Sequence, residues 1–121
     1  MAETIIRVEY RPERIKKITV PERIRVKRGD GVRWMLNIFQ PNLPLPERLL
    51  FELYFPKGSA FAWSRQFLTI DLINPPFFPS SNLLLADGVT SKPGDFKYGV
   101  RAIDQRKQEP IEDVDPFLIV Y

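Results

Sequence analysis

The 121-residue chain contains no cysteine and no histidine. The first absence removes disulfides, thiolate ligands and a cysteine nucleophile; the second removes the commonest general base and the imidazole ligand of transition metals. Glycine is scarce, with six residues, and no apolar run approaches the length of a membrane-crossing helix. The N-terminus, Met1-Ala2-Glu3-Thr4, has no basic stretch followed by an apolar core, so a cytoplasmic location without a signal peptide or membrane attachment is expected. Internal repeats and low-complexity tracts are also missing. No window has a helical period, although Leu, Glu and Arg in Pro46 to Tyr54 would suit a short helix as well as a strand.

What is present is alternation. Pro93-Gly94-Asp95-Phe96-Lys97-Tyr98-Gly99-Val100 begins with a turn dipeptide and then places Phe96, Tyr98 and Val100 on one face and Lys97 on the other, the pattern of a half-buried strand. Ile6, Val8 and Tyr10 alternate in the same way. So do Ile24 and Val26, and beyond Arg28-Gly29-Asp30-Gly31, where either glycine supplies a positive φ, Val32, Trp34, Leu36 and Ile38. Further β-type runs are Ile15 to Val20, Arg48 to Phe55, Phe61 to Trp63, Gln66 to Leu72, Leu83 to Ala86 and the terminal Pro116 to Tyr121. Asp87-Gly88 reads as a turn, and Asp104 to Asp115 as a polar crossing. Twelve prolines interrupt these runs and blunt their edges, most densely in Gln40 to Pro46. One domain over residues 1–121 is expected, because a chain of this length buries enough surface for a core of its own. The residues in phase with a buried face are Trp34, Leu36, Phe51, Leu53, Trp63, Phe96, Tyr98, Val100, Phe117 and Ile119.

The net charge of +3 is unevenly distributed. Residues 1 to 33 hold ten Lys/Arg against five acids. Most of these bases alternate with apolar residues, as in Ile24-Arg25-Val26-Lys27, which places them on solvated strand faces. Tyr10 is the only tyrosine, tryptophan or phenylalanine before Trp34, so nucleic acid is disfavoured as a partner, since single-strand binders interleave basic groups with exposed rings. Binding through this basic third is carried as an alternative. Asn74-Pro75-Pro76-Phe77-Phe78-Pro79-Ser80-Ser81-Asn82 is the most unusual segment. Its prolines exclude helix and central strand, and Phe77, Phe78 and Pro79 either close one end of the core or form a stiffened partner-binding loop.

Three stretches together resemble the cupredoxin family. Val20-Pro21 runs through Ile24-Arg25-Val26-Lys27-Arg28-Gly29-Asp30-Gly31 to Val32-Arg33-Trp34; Gly94-Asp95-Phe96-Lys97-Tyr98-Gly99-Val100 follows late in the chain; and Asp115-Pro116 precedes a terminal apolar strand. The resemblance covers the first third and last quarter of the chain and implies a Greek-key β-sandwich. It also implies a copper thiolate at Val100, a loop histidine near Ile103 and a first histidine just after Asn37, and none of these ligands is present. A blue-copper centre needs two imidazoles and a thiolate, so copper electron transfer is excluded by composition. An immunoglobulin-like sandwich is the alternative fold.

Other chemistry has thin support. Asp104, Glu109, Glu112, Asp113 and Asp115 could offer oxygen ligands to Ca²⁺, or a carboxylate pair to a histidine-free hydrolase, but their spacing fits no calcium loop and Arg106 and Lys107 interrupt them. The serines have no histidine to activate them. The expectation is a single all-β, Greek-key, cupredoxin-like sandwich without metal or cofactor. It is read as a non-catalytic binding or structural module that docks another protein through Phe77, Phe78 and Pro79 or through an edge strand, which would also permit a homodimer.

Overall fold

Along Gly31–Ile38 every second side chain, Val32, Trp34, Leu36 and Ile38, is buried, and those between are only half-covered. This alternation recurs through an all-β structure. The computed structural model describes residues 2–11, 15–39, 48–71, 82–105 and 108–121. In order, the strands are β1 (Glu3–Tyr10), β2 (Ile18–Thr19), β3 (Arg23–Val26), β4 (Gly31–Ile38), β5 (Arg48–Tyr54), β6 (Arg65–Asp71), β7 (Leu83–Val89), β8 (Gly94–Lys97), β9 (Gly99–Asp104), β10 (Glu109–Val114) and β11 (Phe117–Val120). Residues 48–54 are strand, as Leu49, Phe51 and Leu53 on one face require. Among the described residues no helix is long and apolar enough to cross a membrane.

The strands form three sheets, ordered β2-β1-β4-β7, β10-β9-β5-β6 and β3-β11-β8. The last two are halves of one long hairpin. Val100 pairs with Val114 and Lys97 with Phe117 in a single register, and Tyr98 N donates to Pro116 O at 3.0 Å across the join. At the join the outer neighbours change. β5 adds to β9 in one half, while β3 adds to β11, in parallel, in the other. The first sheet covers this bent face and also contains a parallel pair, β1 with β4, in which Ile6 meets Trp34 and Val8 meets Leu36.

Trp34 occupies the centre of the core. Its indole is fully buried and meets Phe55, Phe61, Trp63 and Tyr98 edge-on, with centroids 5.5–6.3 Å apart. Opposite it on β7 is the small Ala86, where a bulge turns both Leu85 and Ala86 inward.

Five sequence expectations need correction. Of the run Ile15 to Val20 only Ile18–Thr19 is strand, and Ile15 is fully exposed. Asp87-Gly88 is not a turn but lies within β7, where Gly88 leaves room for the stacked Phe61 and Trp63 rings; a Cβ there would lie 2.7 Å from Phe61. Phe61 to Trp63 is a bent connection, not a strand. The polar crossing from Asp104 is the tip of the hairpin and the strand β10. In β11 the buried residues are Leu118 and Val120, not Phe117 and Ile119, because the hairpin register aligns Leu118 with the inward Phe96 and Phe117 with the exposed Lys97.

Candidate functional site

Phe77, Phe78 and Pro79 lie outside the described residues. The strands on either side of them are described, and both are sheet edges: β6 ends the β10-β9-β5-β6 sheet and β7 ends the β2-β1-β4-β7 sheet. The Phe55 N to Ser64 O hydrogen bond of 2.8 Å fixes which residues of β6 bond to β5. Alternation in an antiparallel ladder then turns the backbone N–H and C=O groups of Arg65, Phe67, Thr69 and Asp71 away from β5. Among the described residues β5 is the one strand hydrogen-bonded to β6. Phe67 stands on the outer face, 53% exposed, with the Arg65 guanidinium 5.9 Å from its ring.

The outer face of the same sheet holds a buried carboxylate. Glu52 is 4% exposed and lies between Arg65, whose Nε is 2.9 Å from Oε2, and Arg101, whose Nε contacts Oε1 as an ion pair outside hydrogen-bond alignment. Arg101 also lies over the Tyr54 ring at 4.3 Å. A carboxylate held between two guanidiniums ties β5, β6 and β9 together and is already engaged on both oxygens.

At the join of the long hairpin is an open cleft of about 400 Å³, lined by Tyr54, Pro56, Lys97, Tyr98, Gly99, Asp113 and Asp115. Its polar groups are already paired. Tyr54 OH donates to the Asp113 carboxylate, with 2.8 and 2.9 Å to the two oxygens, and Lys97 Nζ is 3.0 Å from Asp115 Oδ2. Partial burial first, and the Asp113 carboxylate second, push the Tyr54 phenol above its ordinary pKa. The hydrogen bond from Lys97, followed by its charge, holds Asp115 below the usual carboxylate range. Asp113 and Asp115, two of the acids that could have supplied a carboxylate pair, therefore each have a different partner. Among the described residues no group of three or more acidic side chains is placed to hold a metal ion. The side chains of Glu109 and Glu112 lie outside the description.

The copper positions implied by the family resemblance do not fit a metal. Val100 is a fully buried aliphatic residue, Ile38 is likewise buried, and Ile103 is half-buried on β9. None of the three carries a donor atom.

The basic third of the chain divides between faces. Arg11 lies over Phe39 at 3.7 Å and pairs with Glu9, and Arg33 pairs with Glu3 at 3.6 Å. Tyr10 is buried against Phe51 and faces no solvent. Arg23 and Arg25 on β3 are exposed, and the parallel pairing with β11 brings C-terminal rings beside them: Arg23 lies 5.5 Å from the Phe117 ring and Arg25 5.0 Å from that of Tyr121. Sequence reasoning missed these pairs because the partners are more than ninety residues apart. Which rings stand beside Arg23 and Arg25 is set by the strand order and the β3–β11 register, which carry no short-range signal.

No family model matches the chain, and neither a curated protein nor a solved structure matches it.

Proposed function

We propose that this chain is a non-catalytic, copper-free binding module, cupredoxin-like in its frame, that docks an extended segment of another protein on the open edge of β6. The observation that carries the reading is the outer side of Arg65–Asp71, which no strand among the described residues pairs, with Phe67 exposed on it. An added strand would gain main-chain hydrogen bonds from Arg65, Phe67, Thr69 and Asp71 and would meet the Phe67 ring. Phe77, Phe78 and Pro79 follow β6 in the sequence and are proposed as the second part of the same docking surface. Pairing of the Tyr54, Lys97, Asp113, Asp115 and Glu52 side chains with one another or with arginines supports binding over catalysis. The cupredoxin-like reading is supported by two parallel pairings, β1 with β4 and β3 with β11, which the wholly antiparallel constant-type immunoglobulin sandwich lacks.

The reading is tested by affinity capture from a native lysate, comparing wild type with Thr69→Pro, Phe67→Lys and the Phe77→Ser, Phe78→Ser double variant. Each variant is first checked for cooperative melting. Thr69→Pro removes one outward N–H and leaves the β5 ladder intact, and Phe67→Lys charges an exposed position. Loss of a wild-type partner in the two edge variants is expected. Recovery of that partner by both at wild-type yield would exclude the β6 edge.

A further inference from the structure

The three-stranded sheet has an outer face that the β6 reading does not use. Its outward positions are Arg23 and Arg25 on β3, Phe117 and Ile119 on β11, and Asp95 and Lys97 on β8. The β3–β11 ladder continues past both strands, because Tyr121 N donates to Val26 O at 3.1 Å and Arg28 N to Tyr121 O at 2.8 Å. Tyr121, 61% exposed, thereby extends the outward row of Phe117 and Ile119. Lys27, exposed, continues the spacing of Arg23 and Arg25. Strand geometry sets successive members of each row about 6.6–6.8 Å apart.

The charge on this face is mostly positive. Lys97 is engaged by Asp115, 3.0 Å away, and Asp95 is the one acid among the outward positions of the three strands. Among the described residues no acid forms an ion pair with Arg23 or Arg25, whose guanidiniums instead lie by the Phe117 and Tyr121 rings at 5.5 and 5.0 Å. A guanidinium held against a ring keeps its outward N–H donors for phosphate oxygens. The guanidinium and ring also present flat π surfaces to a base.

We infer that this β3–β11 face binds a single-stranded nucleic acid, with Arg23, Arg25 and Lys27 on the phosphates and the Arg23–Phe117 and Arg25–Tyr121 pairs as stacking platforms. A flexible strand follows from the geometry: a row of paired rings on a sheet face can stack unpaired bases, whereas a duplex hides its base faces. An acidic protein segment would satisfy the charge but would leave the rings unused. The surface is distinct from the β6 edge, so failure of either reading leaves the other standing.

The probe is a fluorescein-labelled oligothymidylate, with binding read as fluorescence anisotropy across a salt series. Wild type is expected to bind at low salt and weaken as salt rises. Arg23→Gln with Arg25→Gln should reduce affinity more than tenfold and make the slope of log affinity against log salt shallower by roughly 1.4, since each phosphate neutralised on a single strand contributes roughly 0.7. Tyr121→Ala should weaken binding by about 5- to 150-fold, the scale of one lost base stack, and leave the salt slope unchanged. Arg23→Lys with Arg25→Lys keeps the charge and loses the planar platform, so it should fall between the two. Arg7→Gln, on the outer face of the β2-β1-β4-β7 sheet, is the control and should bind as wild type does. All substituted side chains are solvent-exposed, so folding is expected to persist. The inference is overturned by no binding at low salt, by equal binding of the Arg23→Gln, Arg25→Gln variant, or by equal binding of polyglutamate or an abasic strand of the same charge.

Discussion

The indole Nε1 of Trp34 donates a hydrogen bond to the phenol oxygen of Tyr98 at 3.3 Å, with both side chains fully buried and their rings nearly perpendicular. Trp34 belongs to β4 and Tyr98 to the join between β8 and β9, so the bond links the covering sheet to the bend of the long hairpin. Tyr98→Phe removes the acceptor, keeps the ring and leaves the indole N–H unsatisfied in the core. The expected loss is about 1–3 kcal/mol, read from urea unfolding as a lower midpoint at an unchanged slope.

The same burial gives a pH signature. Tyr98 is pushed up to about 12 chiefly by burial, the hydrogen bond from Trp34 acting weakly the other way. A raised acid pKa means that the unfolded chain releases this proton near pH 10, before the folded chain does, so stability is full below pH 10 and falls as pH rises towards about 12. At roughly 1.4 kcal/mol per pH unit the contribution lost is on the order of 2–3 kcal/mol. Melting temperature measured from pH 8 to 12 should decline above pH 10, and the decline should be smaller in Tyr98→Phe.

Gly99 is required by its neighbour, not by its backbone. A Cβ there would lie 2.2 Å from Tyr54 Cζ and 2.4 Å from its hydroxyl. Gly99→Ala must therefore displace the Tyr54 ring from Asp113 and from Arg101, at an expected cost of about 1–3 kcal/mol. In a Tyr54→Ser background most of that cost should disappear, and a double-mutant cycle by thermal melting checks it.

Thr90 ties the turn between β3 and β4 to β7. Its side-chain oxygen accepts from Gly29 N at 3.0 Å and lies 3.2 Å from Lys27 O and 3.1 Å from Asp30 O, while Gly29 takes a φ of 94°. Thr90→Val keeps the shape and removes the hydroxyl, while Gly29 N, Asp30 O and Lys27 O keep their backbone partners Thr90 O, Thr90 N and Asp30 N, so the loss expected is that of a side-chain hydrogen bond, about 0.5–1.5 kcal/mol. Retention of wild-type stability in chemical unfolding would show that water replaces the hydroxyl.

Alternation made the all-β class legible in residues 31–38, 48–55 and 94–100, where one face of each segment is wholly apolar. It failed in β11, because Phe117, Leu118, Ile119 and Val120 are all apolar and either phase buries two of them; the register of the hairpin decides, and that is tertiary information. The Asp87-Gly88 turn was misread for a related reason. The glycine serves the approach of Phe61 and Trp63 from another segment. At the candidate sites, sequence gave the residue types on β6 but not that β6 is an edge, and it gave Arg23 and Arg25 but not the rings beside them. Both depend on strand order, which short-range pattern does not encode.

The docking claim is tested most directly by amide hydrogen exchange on β6, free and with the captured partner bound. The backbone N–H groups of Phe67 and Thr69 face away from β5. They should exchange quickly in the free protein and at least about tenfold more slowly in the complex, as groups taken into a new ladder do. Unchanged exchange at both amides, with slowing confined to another strand, would contradict docking at this edge.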